Sequence, residues 1–313
     1  MSTSPGHTVD QVPVTTLPDG HQLALTVHTV TGAAPGPRIV WLGGVHGDEP
    51  LGPETVRRAL AEIDPAQLSG TVTAVPVANP LALQALSRNT PVDGINLNRI
   101  FPGNRGGSVT EQIAAVLCEI IAGADHLIDF HSGGNFATVE YSYLHEPGAE
   151  MSRAYGCSLL YQHASYVGSA TDWALQQGIG AMVSELGGGG QRIDHYLDKG
   201  VAGTLNVLRT LKMLPGEPTP PPADQSIITT LRILQPAVGG VLQSDYGADR
   251  IGERIPQGTV LGRILSPYTF EELEVLTAPF EPSILVLARE SVTNVLPGEY
   301  GYMVADGATA TPA

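Results

Sequence analysis

Arg38-Ile39-Val40-Trp41-Leu42-Gly43-Gly44-Val45-His46-Gly47-Asp48-Glu49-Pro50 decides the fold: an almost continuous apolar run meets a glycine pair, and a helical pattern begins just beyond it. A run this apolar reads as a strand covered on both faces. In 50–63, Leu51, Val56, Leu60 and Ile63 fall on one helical face, Pro50 or Pro53 suits the first turn, and Asp48 is placed to cap it. Working outward, the period keeps switching between two and 3.6. Residues 21–27 alternate as a half-buried strand, 71–77 read as a strand, 109–121 as an amphipathic helix and 125–130 as a strand. Residues 170–177 follow as a helix, 181–185 as a buried strand and 193–214 as a long helix. This alternation predicts an α/β fold: a mixed, mostly parallel sheet flanked by helices, with functional loops at the carboxyl ends of its strands.

Residues 1–12 are small and polar and read as a loose tail, so the α/β domain is expected over 13–214. Pro215-Gly216-Glu217-Pro218-Thr219-Pro220-Pro221-Pro222 is a stiff connection, placing a linker at 215–225. Beyond it, 226–313 holds short β-branched runs between Gly and Pro and reads as a smaller all-β domain. Its glycine turns look like those of lipoyl or biotinyl carriers, but no lysine follows Lys212, which excludes a carrier role.

With 16 Lys+Arg against 31 Asp+Glu, the formal charge is -15. That charge repels phosphate backbones and anionic membrane surfaces, so neither nucleic acid nor membrane is an expected partner. Cys118 and Cys157 sit in apolar surroundings and read as buried thiols in a reducing compartment. No basic residue precedes Arg38, and Pro and Gly interrupt every apolar run before the ~18 residues of a membrane span. A cytoplasmic protein is expected.

His46 and Glu49, spaced i, i+3 on a glycine-rich turn, can point at one metal ion. Zinc accepts both side chains and a third protein ligand while leaving a position for water. A His-x-x-Glu alone is common by chance, but two partners end other apolar strands. His131 closes Leu127-Ile128-Asp129-Phe130-His131, with Asp129 on the same side of the strand, either to orient an imidazole or to cap a loop. Glu185 closes Ala181-Met182-Val183-Ser184-Glu185 before a glycine run, where a carboxylate is costly unless paired or functional. Beside a metal-activated water, such a glutamate serves as base and then acid. The glycine run lacks the lysine of a phosphate-binding loop. Asn98-Arg99, with Arg88 upstream, offers donors for a carboxylate or an oxyanion; a salt-bridged loop is the competing reading. The remaining histidines, His145 among them, read as structural, and Tyr300 and Tyr302 either reach back over the pocket or pack in the core.

His46-Gly-Asp-Glu49, Asn96-Leu-Asn98-Arg99 with Phe101-Pro-Gly, Asp129-Phe-His131 and Ser184-Glu185-Leu-Gly-Gly, in this order, resemble the succinylglutamate desuccinylase/aspartoacylase family of the zinc carboxypeptidase superfamily. The resemblance spans residues 37–215, with the β part as the family's usual C-terminal addition. It implies one Zn2+ per chain held by His46, Glu49 and His131, with Glu185 as general base. It also implies that Asn98 and Arg99 bind the substrate's carboxylate and that Arg88 polarises the scissile carbonyl. Aspartoacylases carry a further arginine before the catalytic strand, whereas residues 169–177 here have no basic side chain, and Asn96 replaces an aspartate. Both departures point away from N-acetylaspartate and succinylglutamate, toward the branch holding N-acetyl-2,4-diaminobutyrate deacetylases. Asp172 or Glu140 would favour a positive or neutral side chain.

The expected function is a zinc-dependent amidohydrolase that removes an acyl group from a small N-acyl amino acid or related amide. The alternatives are a metallocarboxypeptidase on short peptides, a hydrolase of a cyclic amide, and a small-molecule binding module with a retained metal site. Edges in the β part allow a homo-oligomer.

Overall fold

The computed structural model describes residues 4–188, 190 and 192–313. The chain begins with a hairpin in which β1 (Gly6–Thr16) pairs antiparallel with β2 (Gln22–Thr31). The expected loose tail is therefore corrected from Gly6 onward, while Met1, Ser2 and Thr3 lie outside the described residues. An edge strand with most side chains in water needs few apolar residues, which is why its polar composition hid it.

The stretch read first becomes β3 (Ala34–Leu42), followed by α1 (Leu51–Ala61) and β4 (Ser69–Val75). Ile39 and Trp41 point into one core cluster, with side chains such as Val56 of α1 and Leu208. Val40 and Leu42 point into another, with Ile113 and Leu117. The apolar run is continuous because both faces are covered. Pro50, not Asp48, takes the N-cap position of α1 and makes no side-chain capping bond.

Next come α2 (Pro80–Ala85), α3 (Val109–Ile121), β5 (His126–His131), β6 (Ala137–Tyr143), α4 (Ala149–Tyr155), β7 (Leu159–Tyr161), α5 (Ala170–Gln176), β8 (Gly180–Gly187) and α6 (Ile193–Thr210). A capping box between Ser108 and Glu111 starts α3. Strands β4, β3, β5 and β8 run parallel, while β2 on one side and β6 on the other are antiparallel to them.

The C-terminal part comprises β9 (Ser226–Ile228), β10 (Leu231–Leu234), β11 (Gly240–Ser244), β12 (Arg254–Ile255), β13 (Val260–Leu265), β14 (Glu272–Thr277), β15 (Ser283–Arg289), β16 (Val292–Val295), β17 (Tyr302–Asp306) and β18 (Thr311–Pro312). These strands divide between two sheets. The order β14-β13-β11-β16 forms a small separate sheet, whereas β15, β17 and β10 extend the central one, which runs β1-β2-β4-β3-β5-β8-β6-β15-β17-β10. The proline-rich change of composition is thus crossed by hydrogen bonding, with β15 pairing to β6. Leu242, Leu261, Ile264, Leu285, Tyr302 and Val304 fill the space between the sheets. No helix among the described residues is long and apolar enough to cross a membrane. Both cysteines are free and buried.

Candidate metal centre

The parallel strands end together, and their register sets the site. His131 on β5 pairs with Glu185 on β8, and Glu185 pairs with Tyr141 on β6, so the three side chains form a row on one sheet face. His46 and Glu49 come from the turn between β3 and α1. Gly47 is required there because a Cβ would stand 2.0 Å from the Ala82 carbonyl, at the close approach of α2.

His46 Nδ1 lies 2.8 Å from Glu49 Oε1, and His131 Nδ1 lies 2.9 Å from Glu49 Oε2. All three residues are buried, and their donor atoms lie within 4.8 Å of one another. The far side of the His46 ring settles its tautomer. His46 Nε2 is 3.1 Å from Asn96 Oδ1, whose identity as oxygen is fixed because it also accepts the Asn98 N–H at 2.9 Å. His131 Nε2 lies 3.0 Å from Asp129 Oδ2. The acceptor behind His46 places its proton on Nε2 and turns its Nδ1 lone pair toward Glu49, while His131 Nε2 faces both the Asp129 carboxylate and the Asn98 amide nitrogen.

Lone pairs converging this closely repel one another unless a cation lies among them. Two imidazoles and a carboxylate make a three-ligand set suited to a divalent metal with an open position. The electrostatics agree. Burial alone would raise the Glu49 carboxyl, but the two imidazoles override it and hold it well below the usual carboxylate range. Burial disfavours a charged His131, yet Asp129 and Glu49 outweigh it and push that imidazole well above its ordinary value. The centre therefore favours positive charge.

Glu185 lines the same cavity. Burial, reinforced by the nearby charges of Glu49 and Asp129, pushes its carboxyl up to about 8 against the pull of His131 and Arg88. Arg88 Nη1 donates to Glu49 Oε1 at 3.1 Å and lies 3.3 Å from His46 Nδ1, while its side chain remains 47% exposed. Arg99 donates to the Asn98 carbonyl at 2.7 Å and stacks 4.4 Å above the Tyr166 ring. Asn98 accepts the Ala170 N–H at 3.0 Å, and its Nδ2 lies 3.1 Å from His131 Nε2. The geometry thus brings His46, Glu49, Arg88, Asn98, Arg99, His131 and Glu185 to one cavity, with Asp129 buried behind His131. Gly189 of the glycine run lies outside the described residues.

Several expectations change. Neither Asp172 nor Glu140 lines the cavity. The Asp172 carboxylate is engaged by Ser165, Gly168 and Gln176, and Glu140 pairs with Lys199. Asn96, noted in the sequence only as a departure, proves to hold His46. Tyr300 lines the cavity, while Tyr302 packs between the sheets and donates to the Leu261 carbonyl.

His145, read as structural, also lines the cavity, stacked on Tyr143 with ring centroids 5.5 Å apart. The spacing of Val139, Tyr141, Tyr143 and His145 was the available signal. Burial, with His163 adding and Asp172 opposing, pushes the His145 imidazole down to about 4. Its folded pKa is below the unfolded value, so the unfolded chain binds more protons between the two. Stability is thus fully present above about pH 6.5 and is lost as pH falls toward the folded pKa. Urea midpoints should report a loss of about 2 kcal/mol from pH 7 to pH 5. His145→Phe, which keeps the stacking and cannot protonate, should remove that component; an unchanged pH dependence would refute the assignment.

Comparison with known proteins agrees with this geometry. The sequence model of the succinylglutamate desuccinylase/aspartoacylase catalytic domain matches residues 35–211. The chain belongs to this family. Its metal-binding triad is that of a metal-activated amidohydrolase of the family, and the protein is a hydrolase-type enzyme. It is similar to the N-alpha-acetyl-L-2,4-diaminobutyric acid deacetylase of Halomonas elongata, 29% identical over 253 residues, 75% of this chain and 72% of that protein. An aspartoacylase family protein from Mesorhizobium loti superposes with a TM-score of 0.80 at 27% identity, over 97% of this chain and 95% of the other. The product-bound ectoine utilization protein EutE of Ruegeria pomeroyi shares the fold, with a TM-score of 0.83 at 23% identity over 97% and 96% of the two chains.

Proposed function

We propose that the protein is a zinc-dependent deacylase that hydrolyses the amide bond of a small N-acylated amino acid. The observation that carries this reading is the placement of Glu185 next to His131 in register, on the cavity that also receives two guanidinium groups. His46, Glu49 and His131 would hold a divalent metal, which would supply a Lewis acid and lower the pKa of a water toward ~7. Glu185 takes the proton of the attacking water and returns it to the leaving amine, a double role suited to a carboxyl raised toward neutral pH. Arg88, at the mouth of the donor cluster, polarises the scissile carbonyl. Arg99 and Asn98 hold the substrate's carboxylate, and the Tyr166 ring and the Asn98 carbonyl fix the guanidinium for that task. Asp129 and Asn96 orient the ligand imidazoles.

Two imidazoles and one carboxylate support zinc, one ion per chain. Likeness to the Halomonas deacetylase supports an N-acetyl amino acid as the substrate class. Buried free thiols support a cytoplasmic site of action, and the outer edge of β1 offers a second copy a pairing strand. The test is metal content of the purified protein, then amine release from N-acetylated amino acids with acidic, neutral and basic side chains. Stoichiometric zinc with turnover is expected; failure to take up zinc would overturn the reading.

A further inference from the structure

Next to the row that holds His131, Glu185 and Tyr141 lies a second row of different character. Val139 on β6 pairs with Leu287 on β15, Leu287 with Met303 on β17, and Met303 with Ile233 on β10. Cross-strand partners share a sheet face, so these four side chains form one apolar strip. All four line the cavity that holds the metal donors. The strip depends on a β-bulge: between Leu285 and Leu287 the register against β17 shifts, and Leu287 rather than Val286 comes to face Met303. Most of the strip lies C-terminal to the proline-rich segment, and it reaches the site only because β15, β17 and β10 continue the catalytic sheet.

The charged residues lining the cavity among those described are the metal donors, Asp48, Glu185, Arg88 and Arg99, and none comes from β6, β15, β17 or β10. A charged substrate group lying along the strip would lose its hydration with no partner in return. An uncharged chain would gain burial there, about fourfold in binding per methylene.

We propose that the strip Val139-Leu287-Met303-Ile233 receives an uncharged aliphatic chain of the substrate, with Met303 and Ile233 setting how long that chain can be. This rests on the deacylase reading and narrows its substrate class. The chain belongs either to the acyl group or to the amino acid's side chain, and two series of substrates separate these sources. The acyl series is N-acetyl-, N-butanoyl- and N-hexanoylalanine. The side-chain series is the N-acetyl derivatives of alanine, norvaline and norleucine, with N-acetylaspartate and N-acetyllysine as charged controls.

With the zinc-loaded full chain, kcat/KM should climb about fourfold per methylene along one series. Where the climb follows the side-chain series, both charged controls should fall at least about tenfold below N-acetylnorvaline. Met303→Ala should flatten that climb to less than twofold per methylene, about half the fourfold transfer value, and Met303→Leu should restore it, separating lost contact from lost folding. Turnover that is flat along both series overturns the proposal and leaves the deacylase reading standing. No turnover of any N-acyl amino acid by zinc-loaded protein overturns both.

Discussion

Glu185→Gln is expected to lower kcat by about a thousandfold while the protein keeps its metal. The carboxylate is not among the three converging donors, so the amide should leave the affinity of that cluster largely intact. The amide has the same shape and fills the same place between His131 and Tyr141, but it can neither accept the water's proton nor protonate the amine. Single-turnover kinetics and metal content on one sample are the measurement. Near-normal kcat in the variant would remove Glu185 from the base role. Loss of metal together with activity would make it a ligand instead.

Removing the metal is expected to abolish activity and to lower stability by about 4 kcal/mol relative to protein with free zinc at a thousandfold its Kd. For a chain of this size that is a fall in Tm on the order of 10 °C. The physical reason is the convergence at Glu49, where two buried imidazoles 2.8 and 2.9 Å away need positive charge among them. Without the ion, that charge must come from protonating His131. Readding zinc should restore both readouts, and His46→Ala should recover neither. A chelated protein with unchanged Tm and full turnover would show that the cluster is structural.

The parts of this molecule that local chemistry dictates could be read from the chain. Helix α3 was delimited by its apolar period, and His131 and Glu185 were marked as polar residues closing apolar strands. What escaped was pairing between distant segments. Strand β6, Ala137-Thr-Val-Glu-Tyr-Ser-Tyr143, alternates apolar and polar residues with the period of a half-exposed strand, although nearly all of its side chains are buried. Only its partners, β8 and β15, show that it is a central strand. Asn96 escaped for a related reason: its amide caps a short turn locally, while its contact with His46 spans fifty residues of chain. The substrate-facing strip was invisible in sequence because its four members come from four separate strands.

The hydrogen bonding of β6 on both edges bears on how the protein can be taken apart. A fragment ending at the proline-rich segment would keep every proposed ligand and the base, yet would lay bare the Ala137–Val139 part of one β6 edge and the apolar face of Val139. Such an edge invites strand addition from other molecules. The C-terminal portion therefore covers an edge that would otherwise be open to aggregation.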